Sequence, residues 1–355
     1  MDWLMTSSVL LLIAFGLAEI YSVSLGRGGV DIMNFKKQLW LVLIGLGLMF
    51  FLALFDYHNL RSFGNWFYVF GIIGLLAVLF FGKVVNGTRG WFYIFGLGIQ
   101  PVEVIKFILV LFLARYFSSH QLKTQPLKHL FLSGLSAFVF FALVAMQPDF
   151  GSALLLFAIW LMIVVLAGME KRYLVYLGGV LLVVFALAWS FYFQDYQKHR
   201  IMTFVNPSFN ALDQGYNVAQ AIIAVGSGGL FGRGIGFGSQ SQLKFLPESQ
   251  TDFIFAVISE ELGFFGVFLV LMFFAVFLIR CLMAVRKVNN DFGIYFILGS
   301  VSLIFVEMFV NIGMNIGLLP VIGIALPFVS YGGSSMISNL MFLGVIQSIV
   351  IRSKL

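Results

Sequence analysis

Long apolar runs recur along this chain, separated by short polar breaks or by breaks marked with glycine and proline, and most runs show no continuous polar face. A helix needs roughly 20 apolar residues to cross hydrocarbon with every backbone amide satisfied inside the segment. Ten stretches meet or approach that length: residues 4–25, 38–55, 66–82, 102–117, 130–146, 151–168, 173–193, 252–279, 292–316 and 331–350. The pattern predicts an all-α integral membrane protein, a single polytopic domain over residues 1–355 with ten transmembrane helices. Met1, Asp2 and Trp3 supply no basic n-region, and the first run leads into another span, so it reads as a helix and not as a cleaved leader.

Two segments break the rhythm. A long loop, residues 194–251, joins the seventh and eighth spans and carries glycines, two prolines and a group of charges. Loops of that length are usually functional or disordered; this one has Phe, Ile, Leu and Tyr throughout, so it should fold back on the outer membrane surface and carry part of the active site. The second break is Gly317 to Ser335, apolar yet interrupted by Pro320, Gly323, Pro327, Gly332 and Gly333. Such a stretch predicts a broken, re-entrant segment before the tenth helix, tolerated at membrane depth where protein or a wet cavity satisfies its backbone.

Composition agrees with the pattern. With 61% apolar and 10% charged residues there is too little polar surface to cover a water-facing globule. The net charge of +6 is spread among loops and forms no single basic face, which argues for topology and contact with anionic membrane lipids, with no nucleic acid. With the N-terminus inside, Arg61, Arg115, Lys123, Lys128, Lys171, Arg172, Arg280, Arg286, Lys287, Arg352 and Lys354 fall on the cytoplasmic side. Only Arg27, Lys36, Lys37, Lys83 and Arg89 fall in the short outer loops, so both termini are expected in the cytoplasm. The lone Cys281 forms no internal disulfide, and His58, His120, His129 and His199 have no metal-ligand spacing. The glycines from Gly226 to Gly238 match no phosphate-binding motif and serve either a tight turn or close approach to a ligand.

Asp252 is the most informative position. It stands where the long loop enters the eighth span, at the boundary between water and membrane. The plain alternative is a carboxylate that complements the helix dipole, with Thr251 as cap. A helix N-terminus favours ionisation while apolar surroundings raise basicity, the combination a general base needs. Glu260 follows two turns below on a similar face, with a supporting role. Glu103 and Lys106, three residues apart at the start of the fourth span, should pair, either neutralising each other or holding a polar cavity open near Arg89 and Trp91. Gln197, Arg200, Arg233 and Lys244 supply donors on the loop, suited to anionic headgroups or to a pyrophosphate leaving group. Glu19, Asp149 and Glu307 are further acids in or beside spans, with no partner evident.

Several strings together resemble the shape, elongation, division and sporulation family, the RodA and FtsW type of peptidoglycan polymerase. They are TRGWFYIFGLGIQPVEVIKF, QPDFGSALL, YQKHRIMTFVNP, GGLFGRGIGFGSQSQLKFLPESQTDFIFAVISEELGFFG and NIGLLPVIGIALPFVSYGGSSM, in the family's order. SQSQLKFLPE and LLPVIGIALPF are closer to the RodA (elongation) branch than to the FtsW (division) branch. Gln250 stands where a His often precedes TDF, and Ala325 where a Pro is usual. The resemblance implies a ten-span enzyme of the bacterial inner membrane that extends glycan strands from lipid II, with Asp252 as the catalytic residue. It also implies Trp91, Glu103, Lys106, Gln197 and Arg200 in or beside the substrate cavity, and a class B penicillin-binding protein as the transpeptidase partner. A divalent cation, Mg or Mn, is left open as a cofactor. The competing readings are a flippase or transporter for the lipid-linked precursor, which would use the same broken helix and intramembrane charges, and a scaffold that only recruits a transpeptidase.

Overall fold

The computed structural model describes residues 1–26, 31–85, 87–94, 97–120, 125–191, 193, 195–205 and 214–353. Arg27, Lys123 and Lys354 among the orientation charges, and Gln194 at the start of the long loop, lie outside the described residues. The chain is predominantly helical. α1 spans Trp3–Ser24, α2 Met33–Leu54, α3 Tyr57–Phe81, α4 Pro101–Ser119, α5 Pro126–Ala145, α6 Phe150–Leu166 and α7 Lys171–Phe191. The long loop holds α8 (Asp195–Val205), α9 (Gln214–Ser227) and the short α10 (Ser239–Gln242). It is followed by α11 (Ile254–Val285), α12 (Asp291–Asn315) and α13 (Gly333–Arg352). Eight of these, α1, α2, α3, α5, α7, α11, α12 and α13, are long and apolar enough to cross a membrane; α6, with 17 residues, is shorter. α4 is long enough, but its apolar run is interrupted by Glu103, Lys106 and Arg115.

Local chemistry explains the helix starts. Asp2, Asp56, Asp149 and Asn290 cap α1, α3, α6 and α12 by accepting bonds from early backbone amides, while α4 and α5 begin on Pro101 and Pro126, whose missing N–H costs nothing there. Between α3 and α4 the chain forms a small antiparallel sheet, β1 (Lys83–Val85), β2 (Thr88–Ile94) and β3 (Leu97–Ile99), in the order β1-β2-β3. The expectation of helices alone missed it, since two of its three strands are only three residues long and leave no readable period.

α13 packs chiefly on α2, α1 on α11, and α12 on α4, around a core that includes Phe107, Phe140, Phe277, Phe296 and Phe342. α7 fully buries no residue; Tyr173, Leu174 and Leu177 pack partly against the core, and most of its remaining surface is left for lipid or a partner. Asp2 pairs with Arg280 at 2.5 Å and exchanges hydrogen bonds with Gln347, so the N-terminus meets the distal halves of α11 and α13 on one end of the molecule.

α11 is not one continuous rod. Gly263 adopts φ +66°, which breaks the helix and frees backbone groups on both sides of the break. The glycine-rich stretch after α9 is spliced into that break. Arg233 and Gly234 donate their amides to Glu260 and Glu261 carbonyls, while Phe264 and Phe265 donate to Gly229 and Leu230. The long loop is thus tied to the eighth predicted span through main-chain bonds at close range, which side chains would prevent. Gly232 has φ +77°, and a Cβ there would strike the Glu261 carbonyl; Gly229 shares the left-handed conformation but faces open space. Gly232→Ala is therefore expected to lower the apparent Tm of the detergent-purified protein markedly. Gly229→Ala carries only the backbone strain, about 1 kcal/mol.

Candidate active site

A cavity of about 290 Å³ lies where β2, the starts of α4 and α6, α8, the turn before α11 and the broken segment converge. Its lining includes Trp91, Gln100, Glu103, Lys106, Asp149, Arg200, Glu248, Asp252, Glu307 and Tyr331. Of the residues singled out in the sequence, Trp91, Glu103, Lys106, Arg200 and Asp252 meet there.

Asp252 precedes α11, whose helix begins at Ile254, two residues later than the span expected at 252. No side chain caps that helix, and the Thr251 hydroxyl donates to the Glu248 carboxylate at 2.9 Å, so Thr251 is not its cap. The half-buried position of Asp252 pushes its carboxyl up to about 6. Desolvation is the main cause; Glu248 and Asp149 add to it and Arg200 opposes it.

Lys106 is buried between two carboxylates, 2.7 Å from Glu103 and 2.5 Å from Glu307. The expected pair is thus a triad, and its third member, Glu307 on α12, is one of the acids for which the sequence showed no partner. Two acids share the one base. Arg200 stands differently: it lines the cavity, and its Nε is buried with no hydrogen-bond partner among the described residues. Asp149, which caps α6 through Ser152, also accepts from Gln100 Nε2 at 3.1 Å.

The broken segment closes the wall. Among the described residues no helix forms from 317 to 332, and Ile322 to Pro327 and Tyr331 to Ser335 line the cavity. The segment approaches its neighbours closely because Gly16 on α1 and Gly151 on α6 present bare backbone to the Val329 and Ile322 carbonyls.

Gln197, Arg233, Lys244 and Glu260 do not line this cavity. Gln197 shares α8 with Arg200. Arg233 is held in the glycine-rich stretch by a bond to Ser239 Oγ at 2.8 Å, and Lys244 is exposed in a turn with φ +58°. Glu260 is buried and accepts from the Gln240 amide at 2.8 Å and the Ser241 amide at 3.2 Å, anchoring α10. The turn before Ile254 upsets the assumption that Asp252 and Glu260 share one regular helix face. Glu261 accepts from Ser22, Gly236, Ser241 and Gln242, with the buried Glu19 beside it. Gln250, the departure from the usual His, links Ser24 to Asn34 and so ties the loop to α1 and α2.

Sequence reading passed over Gln100, Tyr331, Asn311, Asn315 and Ser330. The two asparagines, four apart on one face of an otherwise apolar helix, were a readable signal, because polar groups at that spacing in a membrane span need a common partner. Among the described residues no three His, Cys, Asp or Glu side chains converge in a way that would hold a metal ion.

Comparison with known proteins places this architecture. The family model FtsW/RodA/SpoVE, described as cell cycle protein, matches residues 2–355. The peptidoglycan glycosyltransferase MrdB of Escherichia coli (strain K12) is 35% identical over 356 residues, covering 100% of this chain and 95% of that protein. The stage V sporulation protein E of Bacillus subtilis (strain 168) is 37% identical over 358 residues, covering 98% and 96%. Among solved structures, a chain of a peptidoglycan synthase complex that coordinates polymerization and crosslinking superposes with a TM-score of 0.84 at 26% identity, covering 99% of this chain and 98% of its own. The crystal structure of the Thermus thermophilus rod shape determining protein RodA gives 0.74 at 26% identity, with 100% and 98% covered. With its helical, membrane-spanning fold matched end to end, this chain belongs to the FtsW/RodA/SpoVE family of cell cycle proteins.

Proposed function

We propose that this chain is a peptidoglycan glycosyltransferase that polymerises lipid II at the outer face of the bacterial inner membrane, by inverting transfer with Asp252 as general base. The observation that carries the reading is the convergence, in one cavity, of a carboxyl held near 6 and an arginine with an unused donor. Asp252 takes the proton from the 4-hydroxyl of the acceptor GlcNAc while that oxygen forms a bond to C1 of the donor MurNAc. The C1–O bond to phosphate breaks with inversion, and undecaprenyl pyrophosphate leaves with the electron pair. Arg200 meets the charge that develops on the leaving phosphate, because its Nε has no hydrogen-bond partner among the described residues. Lys106, held between two acids, shapes the electrostatic floor of the site. An activated pyrophosphate leaves without a paired acid, so one carboxylate suffices, in contrast to the two needed for glycoside hydrolysis.

In this reading α4 and α6 also cross the membrane, making ten crossings. The Asp2–Arg280–Gln347 cluster, which joins both ends of the chain, supports cytoplasmic termini on one side. A class B penicillin-binding protein is the partner that cross-links the product, a reading supported by the similar chain in the synthase complex. Gln197, Arg233, Lys244 and Glu260 then serve the loop's own structure or headgroup contact.

The test is reconstitution in vesicles with fluorescent lipid II, scored both for glycan polymer and for transfer of the precursor between leaflets. Polymer without transfer is the expected result. Transfer without polymer makes the chain a flippase and ends the enzymatic reading.

A further inference from the structure

The main chain around Asp252 is stapled more heavily than a loop-to-helix turn requires. Three consecutive carbonyls are each taken by a donor. Tyr331 N–H donates to Gln250 O at 2.8 Å, the Ser330 hydroxyl to Thr251 O at 2.7 Å, and both Asn311 and Asn315 donate through Nδ2 to Asp252 O at 2.9 Å. The asparagines are fully buried on α12. Asn311 Nδ2 also reaches Ile324 O of the broken segment at 2.7 Å, and Asn315 Oδ1 accepts from the Ala256 amide at 3.1 Å in the first turn of α11. Ser330 Oγ accepts from Leu326 N–H at 2.8 Å, and the segment brings Gly323 alongside the Asp252 carboxylate. One pair of amides therefore holds together the residue that carries the carboxylate, the start of the following helix and the cavity wall facing it.

Packing economy does not account for this. Two amide side chains in an apolar helix are costly unless all their groups are used, and a hydrophobic contact would join α12 to α11 at less cost. What the amides add is direction. They fix the peptide plane of Asp252, and with it the Cα–Cβ vector from which the carboxylate departs.

We infer that Asn311 and Asn315 are positioning residues, a clamp that sets the Asp252 carboxylate against the broken segment in the geometry needed for proton transfer. This rests on the reading of Asp252 as the base. A displacement of about 1 Å in a catalytic group costs on the order of 100-fold in rate, while groups that only bind the sugars or the lipid are untouched. The clamp therefore acts on kcat and not on KM. The charged groups around the carboxylate are Glu248 from the preceding turn, Arg200 from α8 and Asp149 at the start of α6.

The experiment uses the full chain in detergent and lipid with fluorescent lipid II, measuring polymerisation rate, KM, the acid limb of the pH profile and apparent Tm. For Asn311→Ala, kcat is expected to fall about 100-fold with KM changed less than twofold. Its acid limb should move from about 6 toward the ordinary carboxylate range, as the displaced carboxyl loses the desolvated setting that raises it. Asn311→Gln, which keeps the amide on a longer stem, should recover part of the rate, and Asn315→Ala should resemble Asn311→Ala. Gly229→Ala, strained but remote from the clamp, should lower Tm without moving kcat or the limb. If Asn311→Ala lowers Tm alone, with wild-type kcat and limb, the clamp is structural and the inference is overturned. If Asp252→Ala keeps turnover, the base itself is misassigned and the clamp falls with it. If Asp252→Ala is inactive while Asn311→Ala turns over normally, only the clamp falls.

Discussion

Asp252→Asn is expected to abolish glycan polymerisation while leaving a folded, substrate-binding protein. The amide occupies the same space, so cavity and backbone clamp survive, but it accepts no proton; the rate should fall by roughly 10² to 10⁴-fold. The sign of the stability change is a separate check. A carboxyl raised to about 6 in the fold is ionised at pH 8 against the opposition of its desolvated surroundings, and the neutral amide removes that opposition. At pH 8 the variant should therefore melt no lower than wild type, the pattern of an activity held at some expense in stability. In the wild type the base is active when ionised. Activity should be full above about 6 and fall about tenfold per pH unit below it. A loss of activity accompanied by a drop in apparent Tm would assign Asp252 to folding instead.

Lys106→Met is the second large effect. Its loss leaves Glu103 and Glu307 facing each other in a buried site with no counter-charge. Removing one partner of a buried ion pair costs about 3–5 kcal/mol, and here two acids are stranded. Apparent Tm should drop sharply, and polymerisation should be lost. The triple variant Lys106→Met, Glu103→Gln, Glu307→Gln separates structure from function. It removes every charge that needed compensation, so Tm should recover, because neutral groups replacing a buried ionic cluster are tolerated. If polymerisation recovers too, the triad serves folding alone; continued inactivity with restored Tm assigns it to the chemistry of the cavity.

Much of the site was legible because its residues announce themselves against an apolar background. A charged side chain in a membrane helix is expensive, so Glu103, Lys106 and Asp252 stood out at once, and the i, i+3 spacing of the first two was enough to pair them. Arg200 was legible only as one donor among several in the loop. Nothing local distinguishes it from Arg233, whose guanidinium is engaged by Ser239 away from the cavity. Glu260 misled for a geometric reason. Helical spacing relates it to Asp252 only if the helix runs unbroken through both, and the regular helix starts at Ile254. Its carboxylate instead holds the Gln240 and Ser241 amides.

The sequence by itself determined the solvent and the long apolar helices, and it marked the charged groups that could carry chemistry. Hydrophobic runs and isolated charges are local properties, and each is costly to misplace in lipid. Tertiary structure alone decided which polar groups meet: Glu307 with Lys106, Asn311 and Asn315 with the Asp252 carbonyl, and the glycine-rich stretch with the break at Gly263. Those contacts join groups far apart in the chain, several through main-chain atoms common to every residue, so no pattern of side chains along the sequence encodes them.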